Sequence, residues 1–190
     1  MLDSAMLGRP KYERREGERY YTEPWVTRAL LAKVRFRGLI WEPCAGRGDI
    51  ADVLSGAGYK VMASDIEGDR LGCKGAAETD FLTCGSPVDG VFSIVTNPPY
   101  DKAEGFLRKA LELTARSSGM VAMLFRNEYD CAASRRDLFE CEAFAAKLVL
   151  TKRPRWLDPD AVHVASPRHN FAWMLWDHNH SGPPNILYGP

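Results

Sequence analysis

Two periods of hydrophobic and polar positions run along this chain, and the switches between them divide it into elements. Through "TEPWVTRALLAKVRF" the apolar residues Trp25, Val26, Ala29, Leu30 and Val34 fall on one helical face, with Thr22 placed as an N-cap and Pro24 near the first turn. "GLIWEP" is short and apolar, as a buried strand is. It leads through the glycine turn "CAGRGD" into a helix, "IADVLSGAG", whose closing glycines suit a C-terminus. "YKVMASD" predicts a second strand ending in an acid, "AAETDFL" a further short one, and "GVFSIV" a buried strand that ends at "TNPPY".

The alternation continues downstream. "DKAEGFLRKALELTAR" carries Phe106, Leu107, Ala110, Leu111 and Thr114 at helical spacing, and "GMVAMLF" predicts the next buried strand. A helix around "SRRDLFECEAFA" and strands at "KLVLTK" and "FAWMLWD" follow, with Trp173 and Trp176 expected to pack in the core. Strands alternating with helices predict an α/β protein with a doubly wound sheet, which binds ligands at the carboxyl ends of its strands. We expect one domain over residues 1–190, with residues 1–20 as a flexible arm and 178–190 as a tail.

Composition agrees with a single soluble domain: 190 residues, 45% hydrophobic and 26% charged. The formal net charge of zero gives no global attraction to polyanions, so any nucleic-acid surface would have to be a local patch. Cys44, Cys73, Cys84, Cys131 and Cys141 have neither zinc-site spacing nor the density of a secreted disulfide framework. The four histidines likewise lack partners at metal-binding spacing, so no metal is expected. No run reaches the roughly 18 apolar residues of a membrane span, and the first residues lack the apolar core of a signal peptide. The expected location is the cytoplasm, with no membrane partner.

The chemistry concentrates at the predicted strand ends. "EPCAGRGD" follows the first strand, where a helix N-terminus and backbone amides approach a ligand and Gly46 and Gly48 allow close contact. It is not the GxGxxG of a nicotinamide enzyme, because Ala51 fills the third glycine's place. Asp65 ends the second strand about 20 residues later, where an acid accepts ribose hydroxyls, although a strand-end Asp also caps the segment after it. Asp80 and Phe81 reach the next strand end, suited to an adenine amine and ring or to an ordinary loop and core. "TNPPY" is the strangest stretch. Paired prolines cannot continue a central strand or a helix interior, so a rigid, donor-poor segment closes a buried strand.

Taken in order, "IWEPCAGRGD", "ASDIEG", "TDFL" and "TNPPY" resemble the motifs of the S-adenosylmethionine-dependent amino-methyltransferases, the class that includes the DNA N6-adenine methyltransferases. "YYTEPWVTRALL" resembles the aromatic motif and helix that the family places against the methionine end of its cofactor. The likeness spans roughly residues 20 to 176. It implies a Rossmann-like, mostly parallel seven-stranded sheet, the class I methyltransferase fold. It also implies S-adenosylmethionine contacts from Tyr21, Thr22, Glu42, Pro43, Cys44, Ala45, Gly46, Gly48, Asp65, Ile66, Asp80, Phe81 and Asn97. The reacting group would be "NPPY": the Asn97 side-chain oxygen and the Pro98 carbonyl accept the amine hydrogens, Pro99 stiffens the segment, and Tyr100 stacks on the base.

The resemblance favours adenine in DNA as the acceptor, with RNA adenine and a protein glutamine amide as alternatives. A non-catalytic binding subunit is the alternative of another class. After "WMLWD" we expect only a short tail in place of the target-recognition domain of restriction-associated relatives, which points to recognition by inserted loops, a homodimer or a partner subunit, or to a small or single-stranded substrate. Candidate substrate contacts are Tyr100, Arg126 in "LFRNEYD", and Arg153, Arg155 and Trp156 in "TKRPRWLD", a basic stretch with an aromatic for stacking.

Overall fold

The computed structural model describes residues 21–155 and 169–190. Among the described residues four helices, α1 (Pro24–Leu31), α2 (Asp49–Gly56), α3 (Ala103–Ala115) and the short α4 (Arg136–Phe139), pack on eight strands. These are β1 (Leu39–Glu42), β2 (Val61–Asp65), β3 (Ala77–Glu78), β4 (Phe92–Thr96), β5 (Met120–Arg126), β6 (Phe144–Leu150), β7 (Phe171–Asp177) and β8 (Asn185–Gly189). They form one sheet in the order β3-β2-β1-β4-β5-β7-β6-β8. Among these strands β7 alone runs antiparallel to its neighbours. Strand order reverses on either side of β1 and β4, the crevice where a doubly wound sheet opens to ligand.

Both faces of the sheet are covered, which explains why the central strands are near-continuous apolar runs. Ile40, Val95, Ala122, Leu124, Leu148 and Trp173 meet α1 and α2 on one side, while Trp41, Ile94, Val121, Met123, Phe125 and Trp176 meet α3 and α4 on the other. The register of β6 against β7 shifts between Phe144 and Ala146. That irregularity turns Phe144 to the α3 side while Ala146, Leu148 and Leu150 face α1. Among the described residues each buried Trp has a partner for its N–H: Trp41 donates to Ser64 Oγ at 2.8 Å, Trp173 to the Val26 carbonyl at 2.9 Å and Trp176 to the Leu138 carbonyl at 2.8 Å.

Several expectations need correction. The segment expected as a tail supplies β8, paired parallel with β6 from Ala146↔Asn185 to Leu150↔Gly189, so the sheet has eight strands. Gly189 permits this because a Cβ there would lie 3.3 Å from the Ala29 Cβ of α1. The helix expected around "SRRDLFECEAFA" shrinks to Arg136–Phe139, and Phe144 already belongs to β6. Glu23, not Thr22, precedes the first turn of α1, and the Thr22 hydroxyl is engaged elsewhere. The arm 1–20 and Trp156 lie outside the described residues. Among the described residues, no helix is long and apolar enough to cross a membrane.

Candidate active site at the carboxyl edge of the sheet

All parallel strands deliver their carboxyl ends to one edge, where the antiparallel β7 begins. The loop after β1 turns sharply there. Gly46 and Gly48 have φ of 52° and 91°, left-handed values that glycine adopts without strain. At Gly48 a Cβ would also approach Cys73 Sγ to 3.1 Å. The Ala45 N–H donates to the Ser64 carbonyl, and the Gly46 N–H donates to Asp65 Oδ2 at 3.0 Å, while Asp65 Oδ1 accepts from the Glu67 N–H. Asp65 therefore clasps the glycine loop to the end of β2. Both its oxygens retain a lone pair after these bonds.

One pocket forms between this loop, the start of α2, the chain ahead of α1 and the end of β4. Tyr21, Thr22, Glu42, Cys44, Ala45, Gly46 and Asn97 line it, together with Arg47, Asp49 and Ile50. Pro43 is buried and does not line the pocket. Glu42, at the end of β1, is 1% exposed and its Oε2 has no hydrogen-bond partner among the described residues. Desolvation first, and then the nearby Asp49, Asp65 and Asp52 carboxylates, hold its pKa well above the usual range against the Ala51 N–H that lowers it. Burial also pushes the Cys44 thiol up, so it stays protonated and makes a poor nucleophile.

Asn97, just past β4, donates from Nδ2 to Thr22 Oγ1 at 3.3 Å. This directs Oδ1 to the opposite side of the amide. Pro98 is buried and the Pro99 carbonyl accepts from the Lys102 N–H, which ties the segment to the start of α3. The Tyr100 ring lies 6.3 Å from that of Phe171, the first residue of β7, and the Arg126 guanidinium sits 5.8 Å from the Tyr100 centroid. Arg126 and Phe171 are themselves register partners across β5 and β7.

The basic stretch after β6 docks on the same rim. Arg153 Nε donates to Asn170 Oδ1 at 2.8 Å, and the Asn170 carbonyl accepts from the Asn127 N–H beside Arg126. Glu23 accepts from the Arg155 N–H and from Trp25 Nε1, and Lys152 lies 5.0 Å above the Trp25 ring. Lys152, Arg153, Arg155 and Arg126 are exposed, and contacts through Asn170 and Phe171 link Arg153 and Arg126 to Tyr100.

Not every expected residue comes to the pocket. Phe81 is 1% exposed, stacked on Phe106 and edge-on to Trp41, so its ring is part of the core and offers no face to a ligand. Asp80 is exposed and its Oδ1 accepts from the Leu82 N–H, capping its own turn. Ile66, by contrast, is 58% exposed directly after Asp65, an apolar side chain left open beside the loop. Arg47 escaped the sequence reading. Its guanidinium stacks 3.7 Å from the Tyr21 centroid and pairs with Asp49, and the signal was a cation between the two loop glycines.

No protein-family profile and no curated protein sequence matches the chain. Solved structures do. The 23S rRNA methyltransferase ErmE superposes with a TM-score of 0.54 at 17% identity, covering 82% of this chain and 68% of that one. A protein assigned as the modification subunit of a type I restriction enzyme from Vibrio vulnificus YJ016 gives 0.54 at 14% identity, over 90% of this chain and 46% of that one. A TehB-like SAM-dependent methyltransferase from Corynebacterium glutamicum gives 0.50 at 15% identity, over 80% and 85% of the two chains. The chain has the class I methyltransferase fold. Its pocket lies at the strand-order reversal of that fold, and β8 extends the sheet beyond the seven strands expected from sequence.

Proposed function

We propose that this protein transfers a methyl group from S-adenosylmethionine to the exocyclic amine of adenine in a nucleic acid, with DNA as the favoured acceptor. The observation that carries this reading is that β4 ends by bringing Asn97 into the pocket beside the glycine loop, with Pro98, Pro99 and Tyr100 following directly in the chain. The residues present fit the cofactor. The buried, unpartnered Glu42 Oε2 suits an ammonium group, Gly46 leaves open space where a Cβ would stand, Asp65 has lone pairs for hydroxyls, and Ile66 offers an apolar surface for a ring.

When bound, the cofactor supplies an electrophilic methyl group on a sulfonium. The chain supplies orientation and charge stabilisation. The lone pair of an adenine amine is delocalised into its ring, so the site must favour a nitrogen whose lone pair points at the methyl. Asn97 Oδ1 and the Pro98 carbonyl accept the two amine hydrogens, and Thr22 holds the Asn97 amide in the required sense. Acceptors fixed before reaction and aimed at developing positive charge lower the barrier without reorganising. Tyr100, backed by Phe171, gives the base a stacking face, and the exposed Arg126, Lys152, Arg153 and Arg155 suit the adjoining phosphates. Asn170 holds the Arg153 guanidinium on this rim, and Glu23 holds the backbone at Arg155.

Exposed arginines and lysines suit RNA phosphates as well as those of DNA, and the solved neighbours include an rRNA methyltransferase and a protein assigned as a restriction-enzyme modification subunit. Transfer of labelled methyl to duplex DNA, single-stranded DNA, total RNA and protein extract, followed by nucleoside analysis, decides between them. Label in N6-methyladenine of DNA is the expected result. Label in RNA or protein replaces the acceptor and keeps the chemistry, whereas no label with any of the four, despite cofactor binding, favours a binding subunit.

A further inference from the structure

An acidic and a basic side chain face the cofactor pocket, and so far only the acidic one has a role. Glu42 stands on one wall with its Oε2 unpartnered among the described residues, and Arg47 stands in the glycine loop of another. Arg47 is not loosely placed. Its Nε and Nη2 donate to the Asp49 carboxylate at 3.3 and 3.2 Å, and the Tyr21 ring covers its guanidinium at 3.7 Å. One edge and one face of the fork are thereby fixed, and the Nη1 edge remains for a further acceptor. The side chain is 34% exposed, so it is wet enough to carry its charge and enclosed enough to orient it.

A planar guanidinium immobilised in this way is suited to a carboxylate, because the rotamer entropy that such a contact would otherwise cost has been lost before the ligand arrives. We propose that Arg47 binds the carboxylate of the cofactor's amino-acid end while Glu42 takes its ammonium, so that the pair selects ligands carrying an intact α-amino acid. This rests on the cofactor reading given above. Tyr21 and Asp49 act as positioning residues for Arg47 and touch the ligand only through it. A solvated pair between Arg47 and Asp49, two residues apart, is the alternative, and it predicts no ligand discrimination.

The test is calorimetric binding of three probes: S-adenosylhomocysteine, its decarboxylated counterpart, and 5′-methylthioadenosine, which lacks the amino-acid end altogether. Wild-type protein should bind S-adenosylhomocysteine at least about tenfold more tightly than the decarboxylated probe, as expected for a charge-assisted hydrogen bond. Arg47→Met should weaken S-adenosylhomocysteine by about 10- to 100-fold and leave 5′-methylthioadenosine unchanged. Arg47→Lys should fall between, keeping charge and losing the fork. Equal binding of the first two probes by wild-type protein overturns the proposal without needing any variant. So does an Arg47→Met protein that binds S-adenosylhomocysteine normally, or one that loses affinity for it and for 5′-methylthioadenosine alike. A wild-type protein that binds none of the probes overturns the cofactor reading itself.

Discussion

Asn97 donates its side-chain amide to the Thr22 hydroxyl at 3.3 Å, joining the end of β4 to the chain ahead of α1. Without that acceptor the amide has one fewer reason to keep its oxygen toward the substrate. Thr22→Val is therefore expected to lower single-turnover methyl transfer about tenfold, with a smaller change in S-adenosylhomocysteine affinity, and Thr22→Ser to restore most of it. Asn97→Ala should cost about 100- to 1,000-fold in turnover, the scale of a lost transition-state contact. Full turnover by Asn97→Ala would remove this residue from the reaction.

Glu42 ties function to stability with opposite signs. Its folded pKa is raised, chiefly by desolvation, so the folded protein holds a proton that the unfolded chain releases. Stability is thus highest below the unfolded carboxyl pKa and falls as pH rises from there towards the folded value. Glu42→Gln should flatten that decline and raise the melting temperature at neutral pH. The same substitution should weaken S-adenosylhomocysteine binding and abolish its increase with pH, because only the carboxylate attracts the ammonium. Melting curves and calorimetry between about pH 5 and pH 8 read both effects. A lower melting temperature at neutral pH would show that the carboxylate stabilises the fold instead.

The basic rim makes a prediction about salt. Arg126→Ala and Lys152→Ala should each reduce the slope of log affinity against log salt by about one, for DNA of any sequence, and leave S-adenosylhomocysteine affinity intact. Fluorescence anisotropy over a salt series measures this. Unchanged slopes would place the phosphates elsewhere.

Lys147 reaches from β6 to the turn after β5, donating to the Asn127 carbonyl at 2.6 Å and to Asp130 Oδ2 at 2.7 Å. The Lys147 and Asp130 side chains are 13% and 25% exposed. Lys147→Met should cost about 1–3 kcal/mol in urea unfolding, since it leaves a partly buried carboxylate without its cation. Adding Asp130→Asn should recover part of that loss. No loss in the single variant would mean that water replaces the ammonium at this turn.

The central strands were legible because burial on both sides makes β4, β5 and β7 apolar at nearly every position, whichever neighbours they find. The strand ends were legible for the same reason, and with them the glycine loop, Asp65 and Asn97-Pro98-Pro99-Tyr100. The residues that went astray depend on partners distant in sequence. Thr22 has the propensity of a cap, but its hydroxyl meets Asn97, 75 positions away. Phe81 sits within a few residues of the strand end, and the space between Trp41 and Phe106 turned its ring inward. "NILYG" follows "SGPP" and has no continuous apolar face; it becomes a strand because β6 presents an edge to pair with. Arg47 was hidden by the glycines on either side, which account for the turn without it.

The hold of β7 and β8 on α1 bears on when the pocket can exist. Trp173 reaches the Val26 carbonyl across 147 positions of sequence, and β8 brings Gly189 against Ala29. Contacts that close loops of this length form slowly, after local helices and neighbouring strands have paired. The segment that places Tyr21 and Thr22 should therefore settle late on the folding route, and a partly folded chain would have the glycine loop without its opposite wall. Cofactor would then leave the folding rate almost unchanged and act on the other limb, slowing the escape from the finished structure.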